Sequence, residues 1–153
     1  MLRFLNYDIV FQEIPDEVTL AINISNCPNR CDGCHSPYLM EDAGIILNED
    51  SLAGLLNKYE KAVTCVCFMG GDAAPKDVER LAAFLKKNYG LKVGWYSGKS
   101  NVPDNCSLHN FNYIKLGPYI KHLGGLDSIT TNQRLYRVEN DNMVNITYKF
   151  RTS

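Results

Sequence analysis

Residues 62–71, Ala-Val-Thr-Cys-Val-Cys-Phe-Met-Gly-Gly, are apolar almost without a break and then stop at two glycines. A strand with one wet face would alternate apolar and polar residues. This run instead reads as a strand buried on both faces, as in the middle of a parallel sheet. Upstream, the β-branched run Val18 to Ser25 predicts another strand, and Asn48, followed by Glu49 and Asp50, predicts a helix N-terminus. Leu52, Leu55, Leu56 and Tyr59 then recur at helical spacing. Downstream, Pro75 suits a first helical position, Val78, Leu81, Ala82 and Leu85 make one stripe, and Gly90 closes the helix. Leu91 to Tyr96 and Phe111 to Leu116 are further strands, each followed by a glycine-containing turn. This alternation predicts an α/β fold in one domain, residues 1–153, as an incomplete (β/α) barrel of mostly parallel strands. Residues 134–150 add a strand-like tail that turns at Glu139 to Asn142 and either caps the sheet edge or meets a partner. Sites in such folds gather at the carboxyl ends of the strands.

The 153 residues are 45% hydrophobic and carry sixteen basic against seventeen acidic side chains, so nothing in the net charge of -1 favours nucleic acid or an anionic membrane. Polar and acidic residues interrupt the first fifteen positions, where a signal peptide needs an apolar stretch, and no apolar run is long enough to span a bilayer. A cytoplasmic location is expected. Six cysteines in such a compartment call for something other than a disulfide framework.

Three of the six cluster as Cys27-Pro-Asn-Arg-Cys31-Asp-Gly-Cys34, while Cys65, Cys67 and Cys106 are dispersed. Short spacings in a turn-rich loop let one segment wrap a compact inorganic centre, and a four-iron cluster held by three thiolates keeps one iron open to another ligand. Structural zinc takes four closed ligands, so it would have to recruit His35, Cys65, Cys67 or Cys106. A zinc-stabilised interaction module therefore stands beside the iron-sulfur reading. Cys65 and Cys67, two apart in a strand, share a face and read as packing residues. Cys106, His109 and His122 have no spacing that assigns them a task.

The C-x3-C-x2-C spacing resembles the cluster motif of the radical S-adenosylmethionine superfamily. Gly33, where many members carry an aromatic residue, points within it to the activating proteins of anaerobic ribonucleoside-triphosphate reductase. Four later segments look like that family in the same order: Phe68-Met69-Gly70-Gly71-Asp72, Trp95-Tyr96-Ser97-Gly98, Leu116-Gly117-Pro118-Tyr119 and Thr131-Asn132-Gln133-Arg134. Ala73-Ala74 departs from it, standing where a proline usually follows Gly-Gly-Asp.

The resemblance implies that Cys27, Cys31 and Cys34 ligate a 4Fe-4S cluster as thiolates, with Arg30 either offsetting their charge or simply solvated. Gly33 would let the backbone approach cluster and nucleotide, and His35 would either touch the bound S-adenosylmethionine or be an ordinary loop residue. Gly70 and Gly71 would offer backbone groups to the methionine ammonium. Asp72 would add a carboxylate there, cap the helix beginning near Pro75, or do both, and Tyr96 and Ser97 would border the adenosine. The implied activity is reductive cleavage of S-adenosylmethionine and generation of a glycyl radical on the reductase, with electrons from a low-potential donor such as a flavodoxin. An activase of another glycyl-radical enzyme, or a small-molecule radical enzyme, is the neighbouring alternative. Asn132-Gln133-Arg134 is the feature favouring the reductase.

Overall fold

The computed structural model describes residues 2–25 and 44–150. Eight strands form one sheet in the order β3-β1-β2-β4-β5-β6-β7-β8. They are β1 (Leu2–Val10), β2 (Thr19–Ile24), β3 (Ile45–Leu47), β4 (Cys65–Met69), β5 (Lys92–Tyr96), β6 (Tyr113–Leu116), β7 (Arg134–Glu139) and β8 (Asn142–Asn145). The pairs β2/β4, β4/β5 and β5/β6 are parallel, which agrees with the apolar-run reading of the centre. The outer pairs β1/β2, β1/β3, β6/β7 and β7/β8 are antiparallel, so the parallel order holds for the four central strands and not for the sheet as a whole. The sheet is open, with β3 and β8 at its two edges.

Among the described residues two α-helices, α1 (Glu49–Tyr59) and α2 (Pro75–Asn88), pack on one face. Asn48 begins α1 with a capping box: its side chain accepts from the Ser51 N–H (3.0 Å), and its own N–H donates to Ser51 Oγ (2.9 Å). Leu52, Leu55, Leu56, Val78, Leu81, Ala82 and Leu85 meet the strand residues Leu20, Ile22, Ile24, Val66, Phe68, Val93, Trp95 and Ile114 in one core. Each fully buried side chain of this size contributes about 1.5–3 kcal/mol. The alternation of strand and helix lapses after β5, where the connection to β6 contains a single 3-10 turn, Leu108–Asn110.

The tail completes the sheet edge. β7 pairs with β6, and a two-residue hairpin at Asn140 and Asp141, with φ of 51° and 65°, turns it into β8. Beyond β8 the chain coils as a 3-10 turn, Thr147–Phe150, rather than continuing as a strand. It returns over the face opposite α1 and α2, helix-free among the described residues, where Ile146 and Phe150 join Ile14, Cys65, Cys67, Tyr113 and Leu135 in a second, smaller core. Ile14 is fully buried and anchors the loop between β1 and β2 on that face.

Candidate functional site

Cys27, Cys31 and Cys34, with Arg30, Gly33 and His35, lie outside the described residues. The structure does define the base from which their segment springs. Ser25, just past β2, is buried, and its N–H donates to the Arg3 carbonyl (2.9 Å). The chain returns at Gly44, whose carbonyl accepts from Arg3 Nη1 (3.3 Å). Gly44 has a φ of +106°, and a Cβ there would lie 2.3 Å from the Phe4 carbonyl oxygen. Both ends of the cysteine segment are thus held on Arg3 and Phe4 of β1, beside the carboxyl end of β2.

Next along that edge, Gly70 and Gly71 end β4 with φ of +116° and +95°. A Cβ on Gly71 would lie 2.6 Å from Val78 Cγ2 of α2, so packing as well as backbone conformation requires glycine there. The Gly70 N–H donates to the Tyr96 carbonyl (3.0 Å), the Gly70 carbonyl accepts from Trp95 Nε1 (2.8 Å), and the Gly71 carbonyl accepts from the Ala74 N–H (3.0 Å). Each carbonyl retains a second lone pair for a ligand.

Asp72 does not cap α2. The N-cap is Ala74, which makes no side-chain cap bond, and Asp72 turns instead toward β5. Its Oδ1 accepts from Ser97 Oγ (2.6 Å) and its Oδ2 from the Gly98 N–H (2.8 Å). A neighbouring strand end with two donors competes successfully with the helix N-terminus for the carboxylate. Ser97 is fully buried and its Oγ also accepts from the Lys99 N–H (3.1 Å), so its hydroxyl is committed to this junction.

On the helix-free face the register lines up Asn23, Met69, Tyr96 and Lys115 across the four central strands near their carboxyl ends. Lys115 is buried, donates to the Gly117 carbonyl (3.2 Å) and sits 5.4 Å from the centre of the Tyr96 ring. Burial, then the nearby Cys67 and Glu13, pushes the Tyr96 phenol well above its ordinary value, and its hydroxyl donates to the Glu13 carbonyl. Tyr96 therefore stays a neutral donor. It also lines a cavity of about 790 Å³ with residues 11–13, 15, 16, 126, 127, 149 and 150.

The Gly-Pro and Asn-Gln-Arg segments prove to be one unit. Asn132 Nδ2 donates to the Pro118 carbonyl (3.0 Å) and Gln133 Nε2 to the Gly117 carbonyl (3.4 Å). Gly117, at φ +110°, lets these backbones close to where a Cβ would lie 3.1 Å from Gln133 Cα. Arg134 Nη1 donates to the carbonyls of Thr131 (2.6 Å) and Gln133 (2.8 Å), bracing the same corner.

The dispersed cysteines divide between the two faces. Cys65 and Cys67 are buried on the helix-free side, while Cys106 packs against the helix-side core. Burial, reinforced by the Glu17 charge, pushes the Cys65 thiol up to about 12, and burial beside Cys65 pushes Cys67 well up. Both are poor thiolates and behave as packing residues. His109 and His122 are exposed. Among the described residues no three His, Cys, Asp or Glu side chains are disposed to hold a metal, and no helix is long and apolar enough to cross a membrane. Sequence reading missed Lys115 and Asn23, whose only advance signal was a polar residue inside an otherwise apolar strand.

Comparison with protein-family models, curated proteins and solved structures returned no match to this chain.

Proposed function

We propose that the chain is a radical S-adenosylmethionine activase that forms a glycyl radical on anaerobic ribonucleoside-triphosphate reductase, working in the cytoplasm with a low-potential donor such as a flavodoxin. One juxtaposition carries the reading. The segment with the C-x3-C-x2-C motif is rooted beside the carboxyl end of β2, and the strand end beside it bears Gly70, Gly71 and Asp72. A radical enzyme needs its cluster and its nucleotide seat adjacent in this way. On this reading the open sheet, with its parallel centre, is an incomplete barrel whose helix-free face is the interior.

The donor set suits a four-iron cluster better than zinc. Three thiolates occur within eight residues. The remaining cysteines are split between two faces and all three resist ionisation, so they make poor recruits for a closed zinc site. When bound, the cluster supplies the electron that splits S-adenosylmethionine into methionine and a 5'-deoxyadenosyl radical. The chain's own part is to position and to shield. Gly70 and Gly71 let the end of β4 pack closely on Ile24 and Val78 and offer carbonyl lone pairs to an ammonium. Asp72 fixes the β4 and β5 ends to one another beside Tyr96, the border of the adenosine seat, with Ser97 supporting that border from the interior. Tyr96, held as a neutral phenol, and Lys115, held over its ring, floor the helix-free face.

The test is anaerobic reconstitution with iron and sulfide, then dithionite and S-adenosylmethionine, with 5'-deoxyadenosine measured by chromatography. The parent and Cys106→Ala should form it, and Cys27→Ala, Cys31→Ala and Cys34→Ala should not. An active Cys31→Ala protein overturns the assignment, as does a colourless protein with stoichiometric zinc.

A further inference from the structure

Two glycines in a row give the end of β4 more backbone freedom than other residues would. Gly70 and Gly71 have φ of +116° and +95°, with no Cβ on either side to resist rotation of the peptide between them. A ligand seat at this place needs that peptide held in one orientation. Its carbonyl, that of Gly70, is held by a side chain of the neighbouring strand: Trp95 Nε1 donates to it (2.8 Å). The Gly70 N–H, on the preceding peptide, donates to the Tyr96 carbonyl (3.0 Å), so β5 grips Gly70 on both sides.

Trp95 pairs in register with Phe68, so its indole reaches two residues past its partner to the strand end. The ring is fully buried in the helix-side core and stacks on Phe111, with centroids 5.5 Å apart and planes at 24°. Held in this way the N–H cannot turn to water, and the Gly70 carbonyl satisfies it. Packing alone does not call for an indole, since a phenylalanine fills a core without a donor that must be satisfied. A carbonyl oxygen has two lone pairs; the indole takes one and leaves the other to a ligand N–H.

We propose that Trp95 is a positioning residue for S-adenosylmethionine: its indole N–H fixes the Gly70–Gly71 peptide so that the Gly70 carbonyl accepts from the methionine amino group. The inference rests on the reading of the chain as a radical S-adenosylmethionine enzyme and deepens it by dividing the work of β5. Tyr96, one residue on, packs on the opposite side of the sheet, where it borders the proposed adenosine seat. One strand thus serves both ends of the cofactor, Trp95 from the helix side for the amino acid and Tyr96 from the other side for the nucleoside. Trp95 acts only through Gly70. Without its N–H the peptide is free to rotate, and the amino group loses a preset acceptor.

The full chain, anaerobically reconstituted, is dialysed to equilibrium without reductant against S-adenosylmethionine and against the sulfonium analogue that lacks its α-amino group. Urea midpoints and 5'-deoxyadenosine formation are measured on the same preparations, and the ratio of the two dissociation constants is the amine preference. Trp95→Phe keeps a stacked ring without the N–H and should lower that preference by about tenfold, with binding of the analogue unchanged within about twofold. Trp95 is the chain's only tryptophan, so it can also be replaced throughout by benzothienylalanine, which puts sulfur where the N–H stood in a ring of nearly the same shape. That protein should lose the preference in the same way, and it decides the matter if Trp95→Phe does not fold. Phe111→Leu, which loosens the stack and keeps the N–H, should lower the urea midpoint and leave the preference as in the parent. An indole that only fills the core would weaken both ligands together. Equal losses for the two ligands, a preference retained without the N–H, or a parent with no amine preference overturns the inference, while a parent that forms 5'-deoxyadenosine keeps the activase reading. A parent that prefers the amine and forms no nucleoside sinks the activase reading, and the positioning role stands if the N–H-free proteins lose that preference.

Discussion

Asp72 is the acceptor on which the carboxyl ends of β4 and β5 close against each other, through Ser97 Oγ and the Gly98 N–H. Removing it strands a hydroxyl that has no exposure to water, and an orphaned buried donor costs about 1–3 kcal/mol. Asp72→Ala should therefore lower stability by about that amount, seen as an earlier urea midpoint at unchanged slope. Asp72→Asn should cost less, because its amide oxygen still accepts one bond and the Ser97 hydroxyl can rotate to accept from the amide N–H. If both variants unfold with the parent, the junction is not held by this carboxylate. The contact spans 25 residues of sequence, which is why Asp72 reads in the sequence as a helix cap.

At the opposite end of the strands one carboxylate ties four elements together. Glu17, just before β2, accepts from Thr64 Oγ1 ahead of β4 (2.7 Å), from Lys92 Nζ at the start of β5 (2.8 Å) and from the Tyr113 hydroxyl at the start of β6 (2.7 Å). Burial by itself would raise the Glu17 value, but the hydrogen bonds from Lys92, Thr64 and Tyr113 outweigh it and hold the carboxyl below its ordinary range. The folded chain thus binds this proton less readily than the unfolded chain does. The contribution of Glu17 to stability is fully present above the unfolded value and is lost as pH falls through the folded one. Thermal midpoints should drop as pH falls below about 4.5, and Glu17→Gln should be less stable at neutral pH with a shallower acid limb. An unchanged acid limb in Glu17→Gln would assign that loss to other groups. Many elements were legible because each has its own local signal: an unbroken apolar run for β4, a β-branched run for β2, Pro75 and a helical stripe for α2, the Asn48 cap for α1. β1 had no such signal, since Arg3, Asn6 and Asp8 interrupt its apolar residues and its strand form depends on pairing with β2 and β3. The three residues of β3 are too few to carry a pattern.

Across the whole molecule, β1 and the loop after it do more than complete an edge. β1 holds both ends of the cysteine segment, and the loop fills the helix-free face and walls the cavity, so the proposed cluster base and the cavity wall belong to one N-terminal unit. None of this could be read from the motifs, because strand register decides which residues meet. A close meeting is at Gly94, where a Cβ would lie 2.5 Å from Ile14 Cδ1 and 3.3 Å from Cys67 Sγ. Ile14 is fully buried, so either its tip changes rotamer or the loop that carries it lifts. Gly94→Ala should cost about 1–3 kcal/mol by overpacking. Ile14→Val, which removes the clashing carbon, should cost about 0.5–1.5 kcal/mol alone yet restore stability in the Gly94→Ala background. That reversal of sign in a double-mutant cycle is the readout, because a glycine kept only for local strand geometry would give additive losses. Additivity would mean that the loop is not seated on Gly94 through Ile14, and that the cavity wall takes its position from elsewhere.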